Sequence, residues 1–290
     1  MPDRPGAVTE LSLAAGDGVE LAGEESVLAR PGKGTPIVLL HGLTATRRYV
    51  VMGSRALERS GHRVLAYDAR GHGRSTPAPE RAYGYEHLAA DLAAVLDEAG
   101  IERALLAGAS MGAHTAVRFA LEHPERVGAL AIITPAYEPD SPRVEQELAR
   151  WDALARGLRE GGVEGFVDAY GLGAVPEAWR ATVETVLRQR MSAHEHPEAV
   201  ADALEVVPRS RPFADMSELA SIELRTLVVA SRDEADPGHP LAVGERYART
   251  IPAARLVVEE AGPPARSPIA WQGGQLSKLL IELAAQAELR

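Results

Sequence analysis

The sequence predicts an α/β fold with a mostly parallel central sheet flanked by helices. Between about residues 36 and 134, short apolar runs alternate with amphipathic stretches, as they do in consecutive βαβ units. The apolar runs are nearly continuous, which is typical of strands that helices cover on both faces. The same alternation resumes at Leu227, so both halves of the chain are expected to contribute strands to one sheet.

The predicted elements follow in order along the chain. The first 27 residues predict two antiparallel edge strands that turn at Gly16 to Gly18. Apolar residues at helical spacing from Leu88 to Leu96 predict a helix that ends at Gly100, and further helices are expected at 241–250 and 276–283. The predicted parallel strands are Ile37 to Leu40, Val64 to Tyr67, Ala104 to Ala107, Leu130 to Ile133, Leu227 to Ala230 and Leu256 to Val258.

A long helical insert interrupts this alternation. Pro135, Pro139 and Pro142 cluster where the alternation stops, and largely helical patterns continue to about Pro212. We therefore divide the chain into an α/β core, residues 1–138 and 213–290, and a helical cap, residues 139–212. The predicted cap helices are Val144 to Leu158, Val163 to Tyr170, Glu177 to Met191 and Glu198 to Val206.

Composition argues against several classes of function. The 31 Lys+Arg and 41 Asp+Glu residues leave a formal charge of −10, which argues against nonspecific binding of nucleic acid. The absence of cysteine excludes disulfides, thiolate metal sites and a cysteine nucleophile. The first residues lack the pattern of a signal peptide, and no run approaches the ~18 to 20 apolar residues of a membrane span. We expect a cytoplasmic protein with no nucleic-acid or membrane partner.

The sharpest local motif is Gly108-Ala109-Ser110-Met111-Gly112, which matches G-x-S-x-G. It lies directly after a predicted buried strand and directly before a helical pattern. On such a turn the serine hydroxyl projects outward, the small residues let neighbouring backbones approach, and the helix N-terminus favours developing negative charge. Two glycines and a serine also occur in ordinary turns, but the strand-turn-helix context favours a nucleophile.

Several motifs together resemble those of the α/β-hydrolase family. His41-Gly42 follows the first parallel strand, Asp68 to Ser75 follows the next, and the Ser110 turn follows the third, in the order and spacing of that family. Residues 219–231 are similar to the segment that leads into the family's acid-bearing strand, and the insert lies where the family places its cap. The resemblance covers nearly the whole chain apart from the cap, and it implies the α/β-hydrolase fold.

The resemblance also implies roles for individual residues. Ser110 corresponds to the nucleophile, and the backbone N–H groups of Leu43 and Met111 correspond to the oxyanion hole. The acid belongs after the next-to-last strand, where Asp233 fits the register of the family. Asp236 is the alternative acid, although it also suits a cap for the following helix.

The sequence departs from the family at the catalytic base. The family's histidine follows the last strand, but residues 259–267 read EEAGPPARS and no histidine occurs after them. Because serine is a poor nucleophile without an adjacent base, another histidine is needed for turnover. His239 is favoured, since its loop lies at the carboxyl edge of the sheet; the alternatives are a cap histidine, His194 or His196, and no base at all. Three further histidines are interpreted as structural: His41, His72 and His114.

Many of the chain's few aromatic residues lie in the cap or at its entrance. We expect these aromatic residues to line a substrate pocket, although the same residues would also serve to seal the cap onto the core. The predicted substrate-binding residues are Tyr137, Trp151, Phe166, Tyr170 and Trp179. No metal site is expected, because the histidines lack the paired helical spacing of zinc hydrolases, and no cofactor is expected either.

These inferences lead to one favoured function and two alternatives. The favoured function is a serine hydrolase that cleaves an ester, thioester or lactone of a small, partly apolar molecule through an acyl-enzyme on Ser110. The first alternative is a weak or inactive relative that binds a small ligand under the cap. The second is a non-hydrolytic, lyase-like relative. The expected partner is a small-molecule substrate, and the sequence leaves a homodimer open.

Overall fold

The computed structural model describes residues 8–26, 34–141, 144–175, 177–233, 236, 238–259 and 273–287. Eight strands form one sheet in this part of the chain: β1 Val8–Ala14, β2 Glu20–Ser26, β3 Ile37–Leu40, β4 Val64–Tyr67, β5 Ala104–Ala109, β6 Val127–Ile133, β7 Thr226–Ala230 and β8 Ala254–Val258. Their order across the sheet is β1-β2-β4-β3-β5-β6-β7-β8. The first two strands pair antiparallel, β2 also pairs antiparallel with β4, and every other neighbouring pair is parallel.

Helices connect most of the parallel strands. The α-helices of the described residues are α1 Ala56–Arg59, α2 Tyr85–Glu98, α3 Met111–Glu122, α4 Val144–Tyr170, α5 Glu177–Met191, α6 Pro197–Val206, α7 Leu241–Thr250 and α8 Gly273–Ala287. The predicted fold class is confirmed, and so are the edge hairpin and the six parallel strands, which differ from the predicted ones only at their ends. No described helix combines the length and the apolar character that a membrane crossing needs.

Apolar layers on both faces of the sheet explain the continuous apolar strands. In β3, Val38 and Leu40 pack with helices α2, α3 and α7, whereas Ile37 and Leu39 face the layer that contains α8. All four side chains are at most 4% exposed. A strand buried on both faces has no position for a solvated side chain, so its sequence cannot alternate between polar and apolar residues.

The cap helices lie between β6 and β7 in the chain and share a third apolar cluster with the core. This cluster joins residues of α4 and α6 to Leu43 and Met111, which flank the predicted nucleophile. The predicted division of the first cap segment into two helices is confirmed, because Gly162 interrupts α4 with φ 60° and ψ −142°. The cap therefore packs directly on the turns at the carboxyl ends of the strands.

Candidate active site

Ser110 lies at the junction of β5 and α3 in a strained backbone conformation. Its φ of 51° and ψ of −114° are rare for a residue with a side chain. Close backbone packing explains the flanking glycines. A Cβ atom on Gly108 would overlap the carbonyl of Gly112, and one on Gly112 would overlap the carbonyl of Leu40. The predicted sharp strand-to-helix turn is therefore present, and Ser110 occupies its tip.

A histidine from the loop before α7 contacts this serine. Nε2 of His239 lies 2.9 Å from Oγ of Ser110, and Nδ1 of His239 lies 2.8 Å from Oδ2 of Asp236. An ionised carboxylate only accepts hydrogen bonds, so Nδ1 of His239 carries the proton and Nε2 is free to accept the serine proton. The histidine that is absent after β8 is thus replaced, in space, by one from the loop that follows β7.

The carboxylate beside His239 belongs to Asp236, and the assignment of Asp233 is corrected. Oδ1 of Asp233 accepts the N–H of Leu241, the first residue of α7, at 2.7 Å. Asp233 therefore satisfies the first N–H group of the helix from a distance along the chain, a role similar to the one that the sequence left open for Asp236. The path of the backbone explains why Asp236, and not Asp233, contacts His239. The N–H of His239 donates to the carbonyl of Asp236 at 3.1 Å, and this tight turn brings their two side chains together.

The electrostatic environment of Asp236 favours its charged form. Burial alone would raise its pKa, but the hydrogen bond from His239, the backbone hydrogen bond from Gly238 and the positive charge of Arg190 outweigh burial. The pKa of Asp236 is consequently held below its ordinary value. An anionic Asp236 at neutral pH keeps His239 in the tautomer that its contact with Ser110 requires.

The turn after β3 passes directly beside the serine. A Cβ atom built on Gly42 would lie 3.4 Å from Cβ of Ser110, so no larger residue fits without a shift. Leu43 and Met111 are both buried, and within the described part of the chain their N–H groups have no acceptor. Unused main-chain donors on two sides of a serine are suited to a developing oxyanion.

Other buried histidines hold the surrounding loops. His41 accepts the N–H of Ala69 at Nε2 (2.9 Å), and His114 accepts the N–H groups of Ala136 and Tyr137 at 3.2 Å. Burial lowers the pKa of both imidazoles to about 3, so they are neutral at physiological pH. These contacts agree with their structural interpretation. Among the described residues, no group of three or more potential ligand side chains is arranged to hold a metal ion.

The predicted substrate-binding aromatics differ in their surroundings. Phe166 is 2% exposed inside the third apolar cluster, and Trp151 and Tyr170 are partly buried and pack against this cluster. The Tyr137 hydroxyl donates to the carbonyl of Phe213 at 3.1 Å, and Trp179 lies partly buried on α5, outside that cluster. Most of these contacts are apolar packing within the cap, as expected if these residues seal the cap onto the core. Substrate contact by these residues stays a prediction.

Two cap residues reach the turn after β3. His194 does not contact Ser110, because its ring nitrogens bond to main-chain groups of Gly73 and Thr44. Nη2 of Arg190 donates to Oγ1 of Thr44 at 2.8 Å, while its Nε is buried and has no hydrogen-bond partner among the described residues. No pattern in the sequence pointed to Arg190, since a basic residue in the last turn of a helix is ordinary.

Ser110, His239 and Asp236 are joined by hydrogen-bond distances in the order found in Ser-His-Asp hydrolases. A family model described as alpha/beta hydrolase fold matches residues 35–264, and the chain belongs to this family. The curated relatives include a 2-hydroxy-6-oxononadienedioate/2-hydroxy-6-oxononatrienedioate hydrolase 2 from Pseudomonas putida. It is 31% identical over 228 residues, which cover 77% of this chain and 78% of that relative.

Solved structures agree with this family membership. A hydrolase from Pseudomonas aeruginosa PA01 has a TM-score of 0.72 and 25% identity, covering 98% of this chain and 99% of that one. A thermophilic esterase from Thermogutta terrifontis has a TM-score of 0.70 and 26% identity, covering 98% of this chain and 97% of that one. The family and these relatives identify the chain as a hydrolase.

Proposed function

We propose that the chain is a serine hydrolase that cleaves an ester, thioester or lactone of a small, partly apolar molecule. One observation carries the proposal: Oγ of Ser110 lies 2.9 Å from Nε2 of His239, whose other nitrogen lies 2.8 Å from Asp236. These distances fall within the ~2.6 to 3.2 Å over which a base can take a proton from a nucleophile. A serine without such a partner would support a binding protein instead.

The proposed reaction has two steps. Oγ of Ser110 attacks the carbonyl carbon while His239 accepts its proton, and the negative charge on the carbonyl oxygen is stabilised by the N–H groups of Leu43 and Met111. The leaving alcohol or thiol takes the proton from His239, which leaves an acyl-enzyme on Ser110. In the second step His239 takes a proton from a water molecule whose oxygen attacks the acyl carbon, and the bond to Oγ of Ser110 then breaks as His239 returns that proton to Oγ, which releases the acid product. Asp236 stabilises the imidazolium in both steps.

The charge of Arg190 supports an acidic group on the substrate. Among the described residues this guanidinium bonds to the hydroxyl of Thr44 and lies 5.6 Å from the ring centroid of Tyr49, and its Nε is buried without a hydrogen-bond partner. Burial lowers the pKa of Arg190 because it disfavours the cation, so a bound anion would restore the lost stabilisation. The name of the Pseudomonas putida relative also specifies a dioate, a molecule with two carboxylates. We therefore favour substrates that carry a carboxylate.

A fluorophosphonate probe tests the proposal directly. We expect stoichiometric labelling of the wild-type protein at Ser110, no labelling of Ser110→Ala, and a labelling rate in His239→Ala that is lower by about 10²-fold or more. Ser54→Ala is a suitable control for the serine substitution, because Ser54 bonds to Ser277 and is not part of the turn at Ser110. Absence of labelling in the wild type contradicts the proposal and favours a ligand-binding relative. Labelling of Ser110→Ala at the wild-type rate contradicts the assigned nucleophile.

A further inference from the structure

The segment between α5 and α6 contacts two loops of the core at once. His194, which is 8% exposed, accepts the N–H of Gly73 at Nδ1 (2.8 Å), and its Nε2 lies 3.1 Å from the carbonyl oxygen of Thr44. The N–H of Glu195 donates to the carbonyl of Gly73 at 2.8 Å. Both ring nitrogens of His194 are therefore engaged by the main chain of the core.

These two partners require one particular form of the imidazole. A backbone N–H can only donate and a carbonyl can only accept, so Nδ1 of His194 is the acceptor and Nε2 carries the proton. A neutral histidine provides this combination. Burial lowers the pKa of His194 to about 4, so the ring is neutral at physiological pH. The site of His194 is satisfied in full by the neutral imidazole.

The backbone that His194 holds is itself strained. Thr44 has a φ of 69°, a conformation that is rare and strained for a residue with a side chain. Such a conformation persists where the surroundings enforce it. The enforcing contacts are the His194 bond to the Thr44 carbonyl, the Arg190 bond to its hydroxyl at 2.8 Å, and the bond from the Ala45 N–H to the Gly42 carbonyl at 3.0 Å.

We propose that His194 is a positioning residue, which holds the turn of residues 42–45 in the conformation that presents the Leu43 N–H to the oxyanion. The inference rests on the proposed serine hydrolase function. It makes the oxyanion hole dependent on the cap, because the side chains that bond to the hydroxyl and to the carbonyl of Thr44 both come from cap residues. An oxyanion donor acts mainly in the transition state, so its displacement lowers kcat and leaves KM nearly unchanged.

Two amide substitutions separate the two bonds of His194. His194→Asn keeps an acceptor near the Nδ1 position for Gly73 but loses the donor to Thr44. His194→Gln places an amide N–H₂ near the Nε2 position and restores that donor. With p-nitrophenyl acetate, we expect the asparagine variant to lose about tenfold in kcat with KM within about twofold, and the glutamine variant to recover to within about threefold of the wild type.

A boronic acid provides a second measurement, since its adduct with serine mimics the tetrahedral intermediate. Inhibition by phenylboronic acid should weaken in His194→Asn by about the same factor as kcat. Equal kcat in the wild type, His194→Asn and His194→Gln would overturn the inference. A loss of kcat in both variants that parallels a decrease in their Tm would also overturn it. A wild-type protein that neither hydrolyses the ester nor reacts with a fluorophosphonate contradicts the proposed function itself, so the two failures are distinguishable.

Discussion

At the residue scale, two aspartates of one short loop have different roles because of their hydrogen-bond partners. Asp236 bonds to His239 at 2.8 Å, whereas Asp233 bonds to the N–H of Leu241 at 2.7 Å. Both are carboxylates within a few residues of each other, and both follow β7. Only the direction of the backbone decides which of them meets the imidazole and which begins the helix.

This difference predicts that two matched substitutions will have unequal effects on kcat. Asp236→Asn should lower kcat by about 10² to 10⁴-fold, because a neutral amide neither fixes the tautomer of His239 nor stabilises its imidazolium form. Asp233→Asn should change kcat less than about twofold, because asparagine also caps helices. Steady-state kinetics with p-nitrophenyl acetate provide the measurement. Equal losses in the two variants would show that Asp236 is not the specific partner of His239.

The buried Nε of Arg190, which has no hydrogen-bond partner among the described residues, leads to a prediction about substrate charge. Arg190→Gln should raise KM for mono-p-nitrophenyl succinate by about tenfold or more, because a charge-assisted hydrogen bond is lost. KM for the neutral p-nitrophenyl acetate should change by less than about threefold. The comparison of the two esters within one variant removes general effects on folding. A parallel rise in KM for both esters would exclude recognition of the carboxylate.

At the scale of elements, the cap depends on a glycine that divides its longest helix. Gly162 has φ 60° and ψ −142°, whereas its neighbour Gly161 has a φ that any residue can adopt. Neither glycine has an atom within 4 Å of an added Cβ. Space is therefore equal at the two positions, and only the backbone conformation differs.

A pair of alanine substitutions tests this difference. Gly162→Ala should lower the free energy of unfolding by on the order of 1 to 3 kcal/mol, because alanine does not tolerate this backbone conformation. Gly161→Ala should leave the free energy unchanged or raise it by about 0.5 to 1 kcal/mol, because glycine is unfavourable within a helix. Urea unfolding measures both. An equally stable Gly162→Ala protein would contradict the proposed reason for the break in α4.

At the scale of the whole molecule, buried neutral histidines connect stability to pH. Burial is the main reason why the pKa is lowered to about 3 for His41, His72 and His114 and to about 4 for His194. Their ordinary value is 6.5, so between these values the unfolded chain binds more protons than the folded protein. The stability that these groups contribute is complete above pH 6.5 and is lost as the pH falls towards the folded pKa.

We therefore predict marked destabilisation in mild acid. Between pH 7 and pH 5, each buried histidine should lower the free energy of unfolding by about 2 kcal/mol. In His114→Gln, the decrease in the free energy of unfolding between pH 7 and pH 5 should be smaller than in the wild type by about that amount, whatever the effect of the substitution on stability at pH 7. His123→Gln is the control, since the His123 side chain is 46% exposed. Urea unfolding at both pH values is the measurement, and an unchanged pH dependence in His114→Gln would contradict a neutral, buried His114.

Local patterns in the sequence were sufficient to predict the sheet, the cap helices and the turn at Ser110. Buried parallel strands require continuous apolar runs, and the close packing at Gly108 and Gly112 permits no side chain, so both leave clear signals. The sequence also favoured His239 over the cap histidines, because His239 follows a strand whose carboxyl end lies at the same edge of the sheet as Ser110. The prediction used topology, and the contact at 2.9 Å agrees with it.

The choice between Asp233 and Asp236, and the contacts of Arg190 and His194 with Thr44, depended on the tertiary structure. Two carboxylates three residues apart have nearly the same local chemistry, and the path of a short loop decides which one reaches the histidine. Arg190 and Thr44 are 146 residues apart in the chain. Their contact depends on how the cap packs on the core, and this packing is a sum of many small interactions that no local pattern encodes.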